Sequence, residues 1–349
     1  MKNLIGYFLI ATSLLVIISC NDSDVNNLNN GNFRVKNKTS QINLGSNIKA
    51  EIKTNSFEAT NFYVITKNDT LLSFPNQEEE FQFKLNDPEV GKKRIIILGV
   101  NASGESKRKV MHVEVFSNKK PTNKTVSIIK EYPHNTSDYT QGLFFDGDTL
   151  FESTGLYGES KVKKYFVNGQ KSLIENSINE RLFGEGITLL NNKIYELTWK
   201  SGKVLVYDRQ FNLINEMQLP FDAEGWGLTN NGENLIMSDG TQRIRFLNPE
   251  NLNLVNEIHV YDNERKLSQL NELELVEDKL YANIYQSNYI AEIDINTGIV
   301  LSYIDCTPLQ SKIEHKTDTD VLNGIAYKAS SNTFFLTGKK WNTLFELTF

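Results

Sequence analysis

A motif that recurs five times over the C-terminal two-thirds constrains this chain more than any other feature. A group of small or polar residues opens a short apolar run at Gln141-Gly142-Leu143-Phe144, Glu185-Gly186-Ile187-Thr188, Gly225-Trp226-Gly227-Leu228, Asn271-Glu272-Leu273-Glu274 and Asn323-Gly324-Ile325-Ala326. The intervals run from 39 to 51 residues. A turn follows each opening, such as Asp146-Gly147-Asp148 or Asn191-Asn192-Lys193, and then a second strand-like run, such as Lys193-Ile194-Tyr195 or Thr333-Phe334-Phe335-Leu336. A unit of that length holds about four antiparallel strands, the size of a propeller blade. One such sheet leaves its faces bare, so the units must pack on one another. Five of them predict a closed ring over residues 126–349, with the run from Val126 to Tyr132 completing the last unit.

Upstream, residues 33–117 alternate apolar and polar positions, as in Glu80-Phe81-Gln82-Phe83-Lys84-Leu85. That is the pattern of half-buried antiparallel strands. About seven short strands fit a small immunoglobulin-like sandwich. The predicted fold class is therefore all-β: a five-bladed β-propeller preceded by that sandwich. Residues 118–125 carry Pro121 and no apolar residue, and read as a linker. Residues 21–32 are Asn-rich and read as a flexible tether. Residues 1–20 read as an export signal, with Lys2 ahead of an apolar run from Leu4 to Ile18. That run is shorter than the roughly 20 residues that span a bilayer. Its end, Ile17-Ile18-Ser19-Cys20, resembles the lipobox of bacterial lipoproteins. The resemblance implies cleavage before Cys20, a lipid on its thiol, and a place in the cell envelope, on the periplasmic face or the cell surface.

Composition narrows the function classes. The formal net charge is −6, so no broad basic face is expected and nucleic acid is disfavoured as a partner. Two cysteines, Cys20 and Cys306, are too few for a disulfide framework. The four histidines, His112, His134, His259 and His315, lack paired ligand spacing, so no metal site is expected. His134 and His315 read as loop residues.

In a propeller the innermost strands run beside the central axis, so their entrances converge at one end of the channel. The repeats place Gln141, Glu185, Trp226 and Asn271 there, and the ends of the second strands add Trp199, Tyr285 and Lys339. Glu185 is the one carboxylate expected at the axis, and Gly184 and Gly186 frame it with little steric shielding. Lys339 and Lys340 are adjacent on a strand and point to opposite faces.

From Tyr139-Thr140-Gln141-Gly142-Leu143 onward, these motifs resemble the plant-type glutaminyl cyclases, the glutaminyl-peptide cyclotransferases of plants and bacteria. The resemblance rests on Phe183-Gly184-Glu185-Gly186, Leu197-Thr198-Trp199, Glu224-Gly225-Trp226-Gly227-Leu228, Leu270-Asn271-Glu272-Leu273-Glu274, Leu322-Asn323-Gly324-Ile325-Ala326 and Leu336-Thr337-Gly338-Lys339-Lys340-Trp341. It implies a five-bladed propeller that converts N-terminal glutamine of peptides to pyroglutamate and releases ammonia, as a monomer and with no metal or organic cofactor. It favours Lys339 over Lys340. It also implies Glu185 as a proton shuttle, Gln141, Asn271 and Lys339 as its catalytic partners, and Tyr139, Phe183, Trp199, Trp226 and Tyr285 as the substrate pocket. Two positions depart from the family pattern: Tyr285 stands where a tryptophan is expected, and Tyr139 where phenylalanine is common. Asp318 and Asp320 read as turn residues, and Asn323 and Trp341 as structural. The main alternative is a non-catalytic propeller that binds peptides or glycans, which would need no carboxylate at position 185. A metal-dependent lactonase type would need several axial carboxylate or asparagine ligands.

Overall fold

The computed structural model describes residues 33–349 apart from 68, 77, 78, 170 and 171. The expected export signal, Cys20 and the Asn-rich tether lie outside the described residues. The described chain is all-β, with one four-residue helix at Thr307–Gln310. No helix among these residues is long and apolar enough to cross a membrane.

Residues 33–116 form eight strands in two sheets, where about seven strands were expected. One sheet has three strands, with Ile48–Thr54 between Phe33–Asn37 and Glu80–Phe83. The other has five, in the order Gln41–Asn43, Ser106–Phe116, Gly91–Asn101, Ala59–Ile65 and Thr70–Pro75. Side chains alternate across each strand, so Ile95 and Ile97 reach the core together with Phe33, Ile48, Phe62 and Val64, all of them almost fully buried. The unit is seated on the rest of the chain. Phe116 meets Tyr261 edge-on at 5.4 Å, the Val90 amide donates to Thr297 O at 3.0 Å, and the Ser117 amide donates to Asp262 O at 3.0 Å.

From residue 127 onward the strands form five sheets in chain order. Their innermost strands are Thr140–Asp146, Gly184–Leu190, Leu228–Asn230, Leu270–Val276 and Leu322–Lys328. Each touches the next, and the fifth touches the first. The strand Ser127–Pro133 pairs antiparallel with Thr343–Thr348 as the outer member of the fifth sheet, as the sequence suggested. The segment 118–125 differs from the expected linker. Its end, Thr122–Thr125, is a strand that pairs parallel with Val300–Asp305 on the outer edge of the fourth sheet. A composition reading misses it because polar residues suffice for an edge strand whose outer side faces water.

The recurring glycines have a steric cause. A Cβ on Gly186 would lie 2.3 Å from the Leu228 amide nitrogen, and one on Gly227 would lie 2.0 Å from Asn271 O. Real Cβ contacts are never that short, so neighbouring innermost strands approach as closely as glycine alone permits. The fourth unit breaks the rule with Glu272. Its side chain is fully buried and crosses the axis: one oxygen accepts the Leu143 amide at 3.2 Å, the other the Ile325 amide at 2.7 Å. This corrects the expectation that Glu185 is the one axial carboxylate. Both Glu272 oxygens face backbone donors of the first and fifth sheets, so the residue is a brace between three sheets. Replacing Glu272 with alanine strands two buried N–H groups, each costing about 1–3 kcal/mol. A fall in unfolding free energy of about 2–5 kcal/mol is therefore expected for Glu272→Ala, measured by denaturant titration. A change below about 0.5 kcal/mol would show that the brace contributes nothing.

Candidate functional site

A β-bulge interrupts the innermost strand at the same place in four sheets: between Thr140 and Gly142, Gly184 and Ile187, Leu270 and Leu273, and Leu322 and Ile325. A bulge leaves residues without a ladder partner and re-aims their side chains. Gln141, Glu185, Asn271 and Asn323 all occupy these positions. In the third sheet the strand starts only at Leu228, and Trp226 is held ahead of it by its amide donating to Ser238 O at 3.2 Å.

All nine pocket residues named from the sequence line one cavity of about 250 Å³: Tyr139, Gln141, Phe183, Glu185, Trp199, Trp226, Asn271, Tyr285 and Lys339. At roughly 30 Å³ per water, this is room for about eight water-sized groups, close to the heavy-atom count of one glutamine residue. Gln141, Glu185, Asn271 and Lys339 are all buried. The Gln141 amide donates to Glu185 Oε1 at 3.4 Å. Asn323 orients that amide, since its Nδ2 donates to Gln141 Oε1 at 3.1 Å and to Thr140 O at 3.0 Å. The Asn271 side-chain oxygen is buried without a hydrogen-bond partner. Such an atom is costly to leave unpaired, and it borders the cavity. Lys340 faces away, paired with Asp318 at 3.1 Å.

The walls are aromatic and rigidly joined. Phe183 packs on Trp199 at 5.4 Å, and Trp226 meets Tyr285 edge-on at 5.5 Å. The Lys339 ammonium sits over the Tyr139 and Tyr285 rings at 4.8 and 5.2 Å. So Tyr285 preserves an aromatic wall where the family pattern has tryptophan. Its ring also serves as a face for the cation.

Sequence reasoning missed three supporting residues. Glu224 uses one oxygen, Oε2, to accept from both tryptophan walls: Trp199 Nε1 at 2.8 Å and Trp226 Nε1 at 2.9 Å. Asp320 accepts from the Tyr139 hydroxyl at 2.7 Å, and its carbonyl accepts from the fully buried Trp341 indole at 2.8 Å. Asn323, expected to be structural, orients Gln141. Glu224 did lie within a quoted motif, two residues from Trp226. What the motif could not show is that both indoles converge on it.

Burial pushes the Glu185 carboxyl well above the usual carboxylate range. Lys339 pulls it back, while Glu224 and Glu196 add to the rise. Burial likewise lowers Lys339, against the opposing pull of Glu185 and Asp320. The two shifts bring the carboxyl and the ammonium closer together in acidity, as is common for groups at functional sites.

A second buried cluster lies outside this cavity and is centred on His134, which stands in a loop just past the strand Ser127–Pro133, as the sequence suggested. Its backbone follows a strand, but its side chain is buried and contacts Glu152 at 3.2 Å. Glu152 also accepts from Thr140 at 2.7 Å and Tyr165 at 2.8 Å, and Lys163 bridges it to Asp138. Burial alone would raise the Glu152 carboxyl, but Lys163 and His134 hold it below its ordinary range. His134, Asp138 and Glu152 offer ligand atoms within 4.8 Å of one another. The Lys163 ammonium already occupies the place between the carboxylates that a cation would take.

A ring of β-sheets whose bulged inner strands bring one carboxylate and two amides into an aromatic cavity, joined there by the ammonium of Lys339 just past the end of a second strand, has the make-up of an enzyme site for a small polar substrate. A family model described as glutamine cyclotransferase matches residues 97–349. A glutaminyl-peptide cyclotransferase of Arabidopsis thaliana is 35% identical over 227 residues, covering 64% of this chain and 70% of that one. The crystal structure of Myxococcus xanthus glutaminyl cyclase superposes with a TM-score of 0.61 at 31% identity, over 66% of this chain and 98% of that one. The chain belongs to the glutamine cyclotransferase family, and its enzyme class is that of the glutaminyl-peptide cyclotransferases.

The two shifts have a measurable consequence. With Glu185 acting as the ionised base, the acid limb of the kcat/KM profile lies above the usual carboxylate pKa of about 4.3. Lys339→Met removes the cation that opposes the rise, so the limb moves to higher pH and the plateau falls. A limb that stays in place would show that the two side chains do not interact.

Proposed function

We propose that this cyclotransferase closes the pyroglutamate ring without metal, using Glu185 as a single proton shuttle. The observation that carries the reading is the buried Glu185 carboxyl, its pKa raised, with the Gln141 amide directed at it and Lys339 in the same cavity. The free α-amine of an N-terminal glutamine attacks its own γ-carboxamide carbon, forming one C–N bond. Glu185 takes the proton that this nitrogen sheds. Amines of this kind have a pKa of about 7.7–8.0, so a carboxyl shifted upward is better matched to the transfer than an ordinary one. The unpaired Asn271 oxygen accepts an N–H of the attacking amine. The Lys339 ammonium stabilises the oxyanion that develops on the carboxamide oxygen. Glu185 returns its proton to the leaving nitrogen, the second C–N bond breaks, and ammonia departs. The aromatic walls exclude water and hold the folded conformer that cyclises.

The architecture around this site follows from the same reading. The five sheets are the blades of a five-bladed β-propeller over 126–349, and their cyclic contacts support it. Residues 33–117 are an immunoglobulin-like sandwich, supported by two packed sheets around one core. The protein acts as a monomer on peptides and proteins with N-terminal glutamine. It is held at the cell envelope by a lipid on Cys20, which the lipobox-like Ile17-Ile18-Ser19-Cys20 supports.

Two experiments test these points. Ammonia release from a glutamine-initiated dipeptide is expected to persist in EDTA and to fall about 10²–10⁴-fold in Glu185→Gln, with KM changed only a few-fold. Chelator-sensitive turnover would overturn the metal-free mechanism, and an active Glu185→Gln would overturn the shuttle. Cys20→Ala is expected to move the protein from the membrane fraction to the soluble fraction; retention on membranes would sink the anchor.

A further inference from the structure

The cavity has room for one residue, so a peptide substrate must leave it across the rim. One part of that rim is built rather than merely exposed. The turn Gly155–Ser160 follows the second strand of the first sheet, and it carries Tyr157 at its tip with 53% of its surface in solvent. Leu156 adopts φ +86°, a left-handed conformation that costs a leucine about 1–3 kcal/mol. Four hydrogen bonds hold it there: the Glu159 amide and the Ser160 amide and hydroxyl all donate to Leu156 O, at 3.1, 2.9 and 2.7 Å, and the Gly158 amide donates to Glu180 O at 3.0 Å. The same Ser160 hydroxyl accepts the Gly184 amide at 3.0 Å, next to Glu185. The turn is thus bonded to the strand that bears the catalytic candidate.

It is also packed against the cavity wall. A Cβ on Gly155 would lie 2.3 Å from the Phe183 ring and 3.0 Å from Gln141 Nε2, so glycine is required for the turn to sit this close. Tyr157 rests edge-on against Phe183 at 5.5 Å, and Phe183 continues onto Trp199 at 5.4 Å. The result is a continuous aromatic path from the cavity to solvent, ending in an exposed tyrosine on a strained turn. A large aromatic group held in water this way has a ring face free for a ligand.

We infer that the Tyr157 turn is the subsite for the second residue of the substrate peptide, and that it selects an aromatic side chain at that position. The inference rests on the reading of the cavity as the glutamine site. Glutamine bound there with its carboxamide at Glu185 directs its own carbonyl, and therefore residue two, toward the mouth. An aromatic side chain at that place extends the Tyr157–Phe183–Trp199 series by one ring.

The test compares glutamine amide, Gln-Gly amide and Gln-Phe amide in the wild type, Tyr157→Ala and Tyr157→Phe. In the wild type Gln-Phe amide is expected to exceed Gln-Gly amide in kcat/KM by about 3- to 10-fold, mainly through KM. Tyr157→Ala brings that ratio toward one while turnover of glutamine amide stays within about 2-fold, and Tyr157→Phe keeps the ratio. A wild type indifferent to residue two, or a preference that survives Tyr157→Ala, overturns the subsite while leaving the glutamine site intact. Failure of all three substrates in the wild type overturns the reading of the cavity, and the subsite with it.

Discussion

The close approach of the innermost strands governs everything else in this molecule. Backbone from one sheet meets backbone of the next at distances that exclude a Cβ, as at Gly186 and Gly227. Such proximity leaves little room for side chains on the axis side, and four of the five innermost strands bulge there, which re-aims the unpaired residue. The site is tied to this steric limit: Gln141 and Glu185 each stand one position before a glycine at the tight contact, and the Asn271 carbonyl is what Gly227 packs against. Glu272 is the exception that fixes the spacing, since one carboxylate reaches two backbone amides from sheets on either side of the axis. The geometry that closes the ring also sets the distances among the polar groups of the cavity.

Desolvation then gives those groups their chemistry. A carboxyl on a solvated strand would titrate near 4.3, far below an α-amine. Burial pushes the Glu185 carboxyl well above its usual range, and the nearby Lys339 cation opposes that rise. Lys339 is itself held by ring faces rather than by a carboxylate at ion-pair distance, so its charge remains available to the cavity. Glu224 joins the two tryptophan walls and also lends negative charge to the site. Walls and electrostatics are therefore not separable here: the residue that joins the two indoles also raises the Glu185 carboxyl.

Much of this was legible in the sequence. The five-fold recurrence of a small-residue opening located every innermost strand, and the residues at those openings and at the ends of the second strands proved to line one cavity. Local pattern sufficed because each repeat presents the same position to the same end of the ring. What could not be read were partnerships between strands that are distant in sequence. The brace role of Glu272 could not be read, since its targets, Leu143 and Ile325, lie in other repeats. His134 is a loop residue, as read, but its burial against Glu152 was not legible because Glu152 stands on a different strand and is itself paired with Lys163. Thr122–Thr125 looked like a linker because a polar edge strand has no apolar signature. Its partner strand comes some 180 residues later.

That last strand and its continuation make the segment 122–133 a clasp. Thr122–Thr125 lies on the fourth sheet and Ser127–Pro133 on the fifth, with only Val126 between them. Both partner strands lie far downstream, about 180 residues on for the fourth sheet and more than 200 for the fifth, so during synthesis the clasp waits with its pairing groups open until they are made. The first three sheets can assemble during that interval, but the ring cannot close until the last strand arrives. Folding of this chain is set by its most distant contact, and an open-ringed intermediate with exposed strand edges is the state that chaperones would meet.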